Sequence, residues 1–171
     1  MPNNYGDKDY WDQRYKEKSE VFEWLESWGE IKDVVENHCI GGLITPDMSE
    51  DQKRQVRSKI KVLNVGCGNA VLPEDMYDDG YRLVYNMDFS DSCIKQMSER
   101  NIVKRPEMIW ETMDARDLAY PDGMFDLVID KGTVDAMMCS DFAEINVAVT
   151  LKECQRVLKD GGIYLVVSYS T

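Results

Sequence analysis

The feature that most constrains this chain is a short apolar run that ends in glycine. Val62-Leu63-Asn64-Val65 leads directly into Gly66-Cys67-Gly68, and a helical pattern follows from Pro73. An apolar strand that enters a G-x-G turn and feeds a helix opens a parallel β-α-β unit. Without Cβ atoms, Gly66 and Gly68 let a ligand approach the backbone at the carboxyl end of the first strand, the crevice that open α/β sheets use. A lone G-x-G also reads as a tight turn. Here it comes with Asp88, which closes the next apolar run, VYNMD, 20 residues beyond Gly68. A carboxylate at that place can accept hydrogen bonds from both hydroxyls of a ribose.

The alternation continues along the chain. Strand-like runs at residues 61–66, 84–88, 108–114, 125–130 and 163–169 are separated by helical patterns at 73–79 and 92–103. A further helix is marked by Ile145, Val149, Leu151, Cys154 and Leu158, and Gly161-Gly162 reads as its stop. Short strands joined by helices predict a parallel sheet with right-handed crossovers and helices on both faces. Upstream, Tyr10, Trp11, Arg14 and Tyr15 share one face of a short helix over residues 8–18. A second helix is predicted over 22–37, with Trp24, Leu25, Trp28, Ile31 and Val35 as its stripe. The 171 residues fit one domain. It divides into capping helices (1–39), a surface connection rich in Gly, Pro and charge (40–60), and an α/β core (61–171).

Further candidate site residues sit where strands end. Asp114 ends the third strand and can accept a hydrogen bond from an adenine amino group, with Met113 against the base; a cap or turn role is the competing reading. Asp130, Lys131 and Asp135 stand at the polar end of the fourth strand and are candidates to line the reaction site, against an Asp-Lys-Gly turn with a helix cap. A dinucleotide site would want a third small residue in G-x-G-x-x-G; Val71 stands there, so no diphosphate cradle is evident.

Composition narrows the functional classes. The formal net charge of −12 argues against a nonspecific grip on nucleic acid and suits a basic or neutral partner. No apolar run approaches the roughly 18–20 residues that span a bilayer, and the amino terminus lacks a signal layout, so a cytoplasmic protein without membrane partners is expected. Five widely spaced cysteines without a C-x-x-C pair read as reduced thiols, and with one histidine no metal site is expected.

These residues resemble those of class I S-adenosylmethionine-dependent methyltransferases. VLNVGCGN resembles their first motif, Asp88 their ribose-binding acid, Met113-Asp114 their adenine contact and LKDGG the turn before their fifth strand. Tyr10-Trp11-Asp12-Gln13-Arg14-Tyr15, Trp110-Glu111-Thr112-Met113-Asp114 and Asp130-Lys131-Gly132-Thr133-Val134-Asp135 resemble the group containing the elongation factor 1-alpha lysine methyltransferases, including the methyltransferase related to endothelin-converting enzyme 2. The resemblance implies a Rossmann-like sheet of order 3-2-1-4-5 and S-adenosylmethionine as cofactor. It implies cofactor contacts from Trp11, Tyr15, Trp24, Gly66, Gly68, Asp88, Phe89, Met113, Asp114 and Asp130, and catalytic roles for Asp130, Lys131 and Asp135. Packing of the leading helices onto the sheet is the competing reading for these aromatics.

Two departures stand out: Asn64 replaces the acid common in the first motif, and the sequence ends at Thr171 just after the fifth strand, where the fold normally adds two more strands. The fifth strand would then be an apolar edge, for which self-association is expected. The implied reaction is in-line transfer of a methyl group to a protein lysine, of which a translation elongation factor is one candidate source. An acceptor amine would lose its proton more easily near a sulfonium and out of water, with Asp130 and Asp135 orienting it. A small-molecule methyltransferase and a noncatalytic binding module are the rival readings.

Overall fold

The computed structural model describes residues 5–18 and 20–169. Five strands, β1 (Lys61–Val65), β2 (Leu83–Asp88), β3 (Ile109–Thr112), β4 (Phe125–Lys131) and β5 (Leu158–Val167), form one parallel sheet in the order β3-β2-β1-β4-β5. This is the 3-2-1-4-5 arrangement, which reverses direction between β1 and β4 and opens a crevice beyond their carboxyl ends. In central β1, Val62, Leu63 and Val65 are all buried, as expected of a strand covered on both faces. Asn64 lies among them, and its Nδ2 donates to Asn86 Oδ1 at 2.8 Å in the facing position of β2. Asn86 donates in turn to the Ile109 carbonyl. The amide thus cross-links three strands, a bond a carboxylate at position 64 could not donate.

One sheet face packs Val62, Val84, Leu127 and Ile129 against α2 (Trp28–Val34), the π-type turn that extends it (Val35–Cys39) and α4 (Leu72–Asp78). The other packs Leu63, Val65, Met87, Phe125 and Val128 against α7 (Ala143–Val157). A third apolar cluster joins α1 (Lys8–Glu17) to α5 (Asp91–Asn101) through Trp11, Tyr15, Cys93 and Met97.

Three expectations are corrected. The second helix begins at Trp28, not at residue 22: Ser27 starts it with a capping box to Glu30, and Leu25 has φ 57, which no helix admits. Residues 20–27 instead cross the mouth of the crevice. Residues 40–60 are more than a surface connection, since Ile44, Ile60 and Arg57 are buried; α3 (Glu50–Arg57) ends on Arg57, whose guanidinium reaches Glu36 at 2.8 Å and the Asp79 carbonyl at 3.0 Å. Gly161-Gly162 does not stop α7. The helix ends at Val157 and β5 begins at once: Leu158 pairs with Phe125 and Ile163 with Leu127, so an excursion containing Gly161 at φ +78 lies within the strand. Thr171 lies outside the described residues, and β5 pairs along one side, with β4. No described helix is long and apolar enough to cross a membrane.

Candidate active site

The crevice holds a cavity of about 440 Å³, within the range of small-ligand sites. Its floor is the turn after β1. Gly66 and Gly68 have φ +60 and +54, a region that disfavours side chains. A Cβ on Gly66 would lie 2.2 Å from Thr133 Oγ1, which donates to the Val65 carbonyl at 2.8 Å. Gly66 therefore admits Thr133 as well as opening the turn. A Cβ on Gly68 would lie 3.0 Å from the Tyr15 hydroxyl.

Asp88, at the end of β2, faces the cavity while only 5% exposed. Its Oδ2 accepts from Gly68 N at 3.0 Å and its Oδ1 from Ser90 N at 2.9 Å. Each oxygen keeps a further lone pair for a ligand donor. Burial pushes its pKa up to about 6, against the opposing pull of the Ser90 and Gly68 amides. Ser90 Oγ also donates to Asp12 of α1 at 2.5 Å, so the acid's loop is tied to the covering helix.

Met113 and Phe89 line the same cavity, and Met113 N donates to the Asp88 carbonyl at 2.9 Å. Asp114 also lines it but lies in the turn beyond β3, which ends at Thr112. It accepts from Arg116 N at 2.9 Å and pairs with the Arg116 guanidinium at 2.6 Å, which holds its carboxyl below the usual range. The turn role and the lining role coexist. A broader, more open recess of about 540 Å³ adjoins here, sharing Phe89, Met113, Asp114 and Arg116.

Aromatic rings close the opposite wall. Trp11, Tyr15 and Trp24 all line the cavity. Trp11 stacks on Tyr15 at 5.7 Å and donates through Nε1 to the Tyr5 carbonyl at 2.6 Å; Trp24 meets Trp11 edge-on at 6.2 Å. Desolvation pushes the Tyr15 phenol well above its ordinary pKa, so it stays neutral. Trp24 arrives on the 20–27 segment, not on a helix.

The residues at the end of β4 and beyond it separate. Asp130 is fully buried and does not line the cavity, contrary to expectation: Oδ1 accepts from Thr133 N at 2.9 Å and Val134 N at 3.2 Å, and Oδ2 from the Tyr164 hydroxyl at 2.8 Å. It caps α6 (Thr133–Met137) from within, the turn-and-cap reading of this motif. Lys131 lines the cavity, but its ammonium pairs with Glu23 at 2.5 Å and donates to the Trp24 carbonyl. Asp135 lines the cavity and accepts from Ser168 Oγ at 2.6 Å and Tyr169 N at 2.9 Å. Among the described residues no group of His, Cys, Asp and Glu is arranged to hold a metal ion.

Sequence reasoning missed Thr133, Asp12, Asn69 and Glu23. Asn69 Nδ2 donates to the Glu20 carbonyl at 2.8 Å, and Val71 N donates to Glu23 Oε2 at 2.9 Å. Asp12, Asn69 and Thr133 stood inside the family-like motifs without a role of their own, and Glu23 lay outside them, beside Trp24.

A parallel sheet of this order, with a glycine turn, an acid at the end of the second strand and a cavity at its switch point, defines an α/β domain of the Rossmann-like class. Residues 63–166 match the family described as "Methyltransferase domain", and the chain belongs to that family. It is 36% identical over 168 residues to the mouse eEF1A lysine and N-terminal methyltransferase, covering 96% of this chain and 22% of that protein. It is 30% identical to the mouse EEF1A lysine methyltransferase 4, covering 94% of this chain and 60% of the relative. The chain thus spans about a fifth of the length of the first relative. The solved structure of the PH0226 protein from Pyrococcus horikoshii shares the fold, with a TM-score of 0.60 at 21% identity over 81% of this chain and 55% of that one.

Proposed function

We propose that this chain binds S-adenosylmethionine and transfers its methyl group to a lysine of a protein, with an elongation factor 1A as the first substrate to test. The observation that carries the reading is the Asp88–Gly68 pair: a buried carboxylate held by a turn amide, with free lone pairs toward a cavity floored by glycine. The residues fit that cofactor. Asp88 would take the ribose hydroxyls, and Met113 with Phe89 would hold the base beside Asp114. The ring faces of Trp11, Tyr15 and Trp24 suit a cation. The Asn64 Oδ1 atom, buried without a protein partner and on the cavity wall, is an acceptor for a bound donor or water.

When bound, S-adenosylmethionine supplies an electrophilic methyl on a sulfonium. The chain itself supplies alignment. Asp130 fixes the start of α6 and so aims Asp135 at the cavity, where it orients an incoming amine as an acceptor. Desolvation lowers a lysine pKa from about 10.4, and the Asp135 carboxylate opposes that fall, so its role is orientation and not deprotonation. The net charge of −12 suits a basic protein segment.

The test is transfer of labelled methyl groups to purified elongation factor 1A, with mass spectrometry of the modified residue. Stoichiometric labelling of one lysine, reduced at least about ten-fold by Asp135→Ala, is expected. Transfer confined to small metabolites would contradict the protein-substrate reading.

A further inference from the structure

We propose that Lys131 is a positioning residue that latches residues 20–27 over the cavity, and that this latch sets how fast cofactor and product leave. Four contacts fasten the segment to the turn after β1 and to the end of β4. Asn69 Nδ2 holds the Glu20 carbonyl at 2.8 Å, and Glu23 Oε2 accepts from Val71 N at 2.9 Å. Lys131 pairs with the other Glu23 oxygen at 2.5 Å and donates to the Trp24 carbonyl. The Lys131 and Glu23 side chains are only 8% and 21% exposed, so the pair is shielded from water and salt.

The segment's other contacts are those of its rings with α1 and Tyr5: Trp24 meets Trp11 and Tyr5 edge-on at 6.2 and 6.1 Å, and the Arg14 guanidinium lies over Phe22 and Trp24 at 5.3 and 5.8 Å. The segment contains no helix or strand, Leu25 sits at φ 57, and Val21 and Phe22 are 48% and 44% exposed. Yet Phe22, Trp24 and Leu25 form part of the cavity wall, and the Leu25 side chain comes within 3.8 Å of the Cβ position at Gly132. A ligand enclosed by this wall can leave when these contacts open. Removing the ammonium strands Glu23 as a shielded, unpaired charge, and removing the carboxylate does the same to Lys131, so either change favours the open segment. Lys131 is thereby bound into the cover, with its donors directed at the cover and not at an acceptor amine.

The inference rests on the methyltransferase reading only for the ligand used. Hydrogen exchange of residues 20–27 in the ligand-free protein, and dissociation of S-adenosylhomocysteine by stopped flow, are measured for the wild type, Lys131→Met, Glu23→Gln and the double variant. Both single variants are expected to speed exchange in this segment, with the sheet still protected, and to raise the dissociation rate about ten-fold. The double variant should be no worse than the poorer single one, because both remove the same contact. Unchanged exchange in both single variants, or strictly additive effects in the double variant, would overturn the latch. A wild type that fails to bind S-adenosylhomocysteine would count against the cofactor reading, while the exchange data alone decide on the latch.

Discussion

At Asp88, burial and ligand binding pull in opposite directions. Its carboxyl is raised from 3.8 to about 6 by desolvation, so the free protein retains this proton longer than the unfolded chain does. The stability it contributes is full below about pH 4 and is lost as pH rises through 6, roughly 3 kcal/mol in all. Ribose hydroxyls donate to the ionised form, so cofactor affinity should fall as pH drops through 6, to about ten-fold weaker at pH 5 than at pH 7 by calorimetry. An affinity flat over that range would exclude Asp88 from the contact. At Gly66 the constraint is steric. Gly66→Ala should lower stability by about 2–4 kcal/mol in urea unfolding, through its positive φ and its clash with Thr133. Thr133→Ala in the same chain should recover part of that loss, because the hydroxyl and methyl nearest the new Cβ are gone. The glycines and Asp88 were legible because their spacing is local. Thr133 was not, since its tie to Val65 joins residues 68 apart in the sequence.

Among the elements, α1 and the strand ends followed from periodicity, whereas the 20–27 segment did not. Trp24 and Leu25 continue the apolar spacing of Trp28, Ile31 and Val35, which reads as one helix. The boundary signal was the Ser27-to-Glu30 capping box, outweighed in the sequence by that longer stripe. Gly161-Gly162 misled for a related reason: the pairing of Leu158 with Phe125 is long-range, and no local pattern announces a strand that starts before its glycines. The placement of α1 rests on Asp12, which accepts from Ser90 Oγ and from Ser92 N. Asp12→Ala should loosen α1, speeding its amide exchange, and weaken cofactor binding by about 1–2 kcal/mol. Unaltered α1 protection in that variant would mean that the aromatic cluster alone seats the helix.

For the whole molecule, charge and the sheet edge oppose each other. Among the described residues β5 pairs with β4 alone and carries Ile163 and Val166 at 36% and 41% exposure, so this 171-residue chain, taken by itself, presents an edge suited to pairing, while a net charge of −12 repels a second copy. Association should therefore strengthen with added salt in sedimentation equilibrium and weaken with Val166→Lys; a monomer under all those conditions would contradict it. The central claim concerns the cavity where the sheet reverses direction. Its most direct test is calorimetric titration of this chain with S-adenosylmethionine, with Asp88→Ala and NADH as controls. Saturable binding, lost in the variant and absent with NADH, is the result expected. A folded chain that binds no S-adenosylmethionine, or a variant that binds as well as the wild type, would contradict the account.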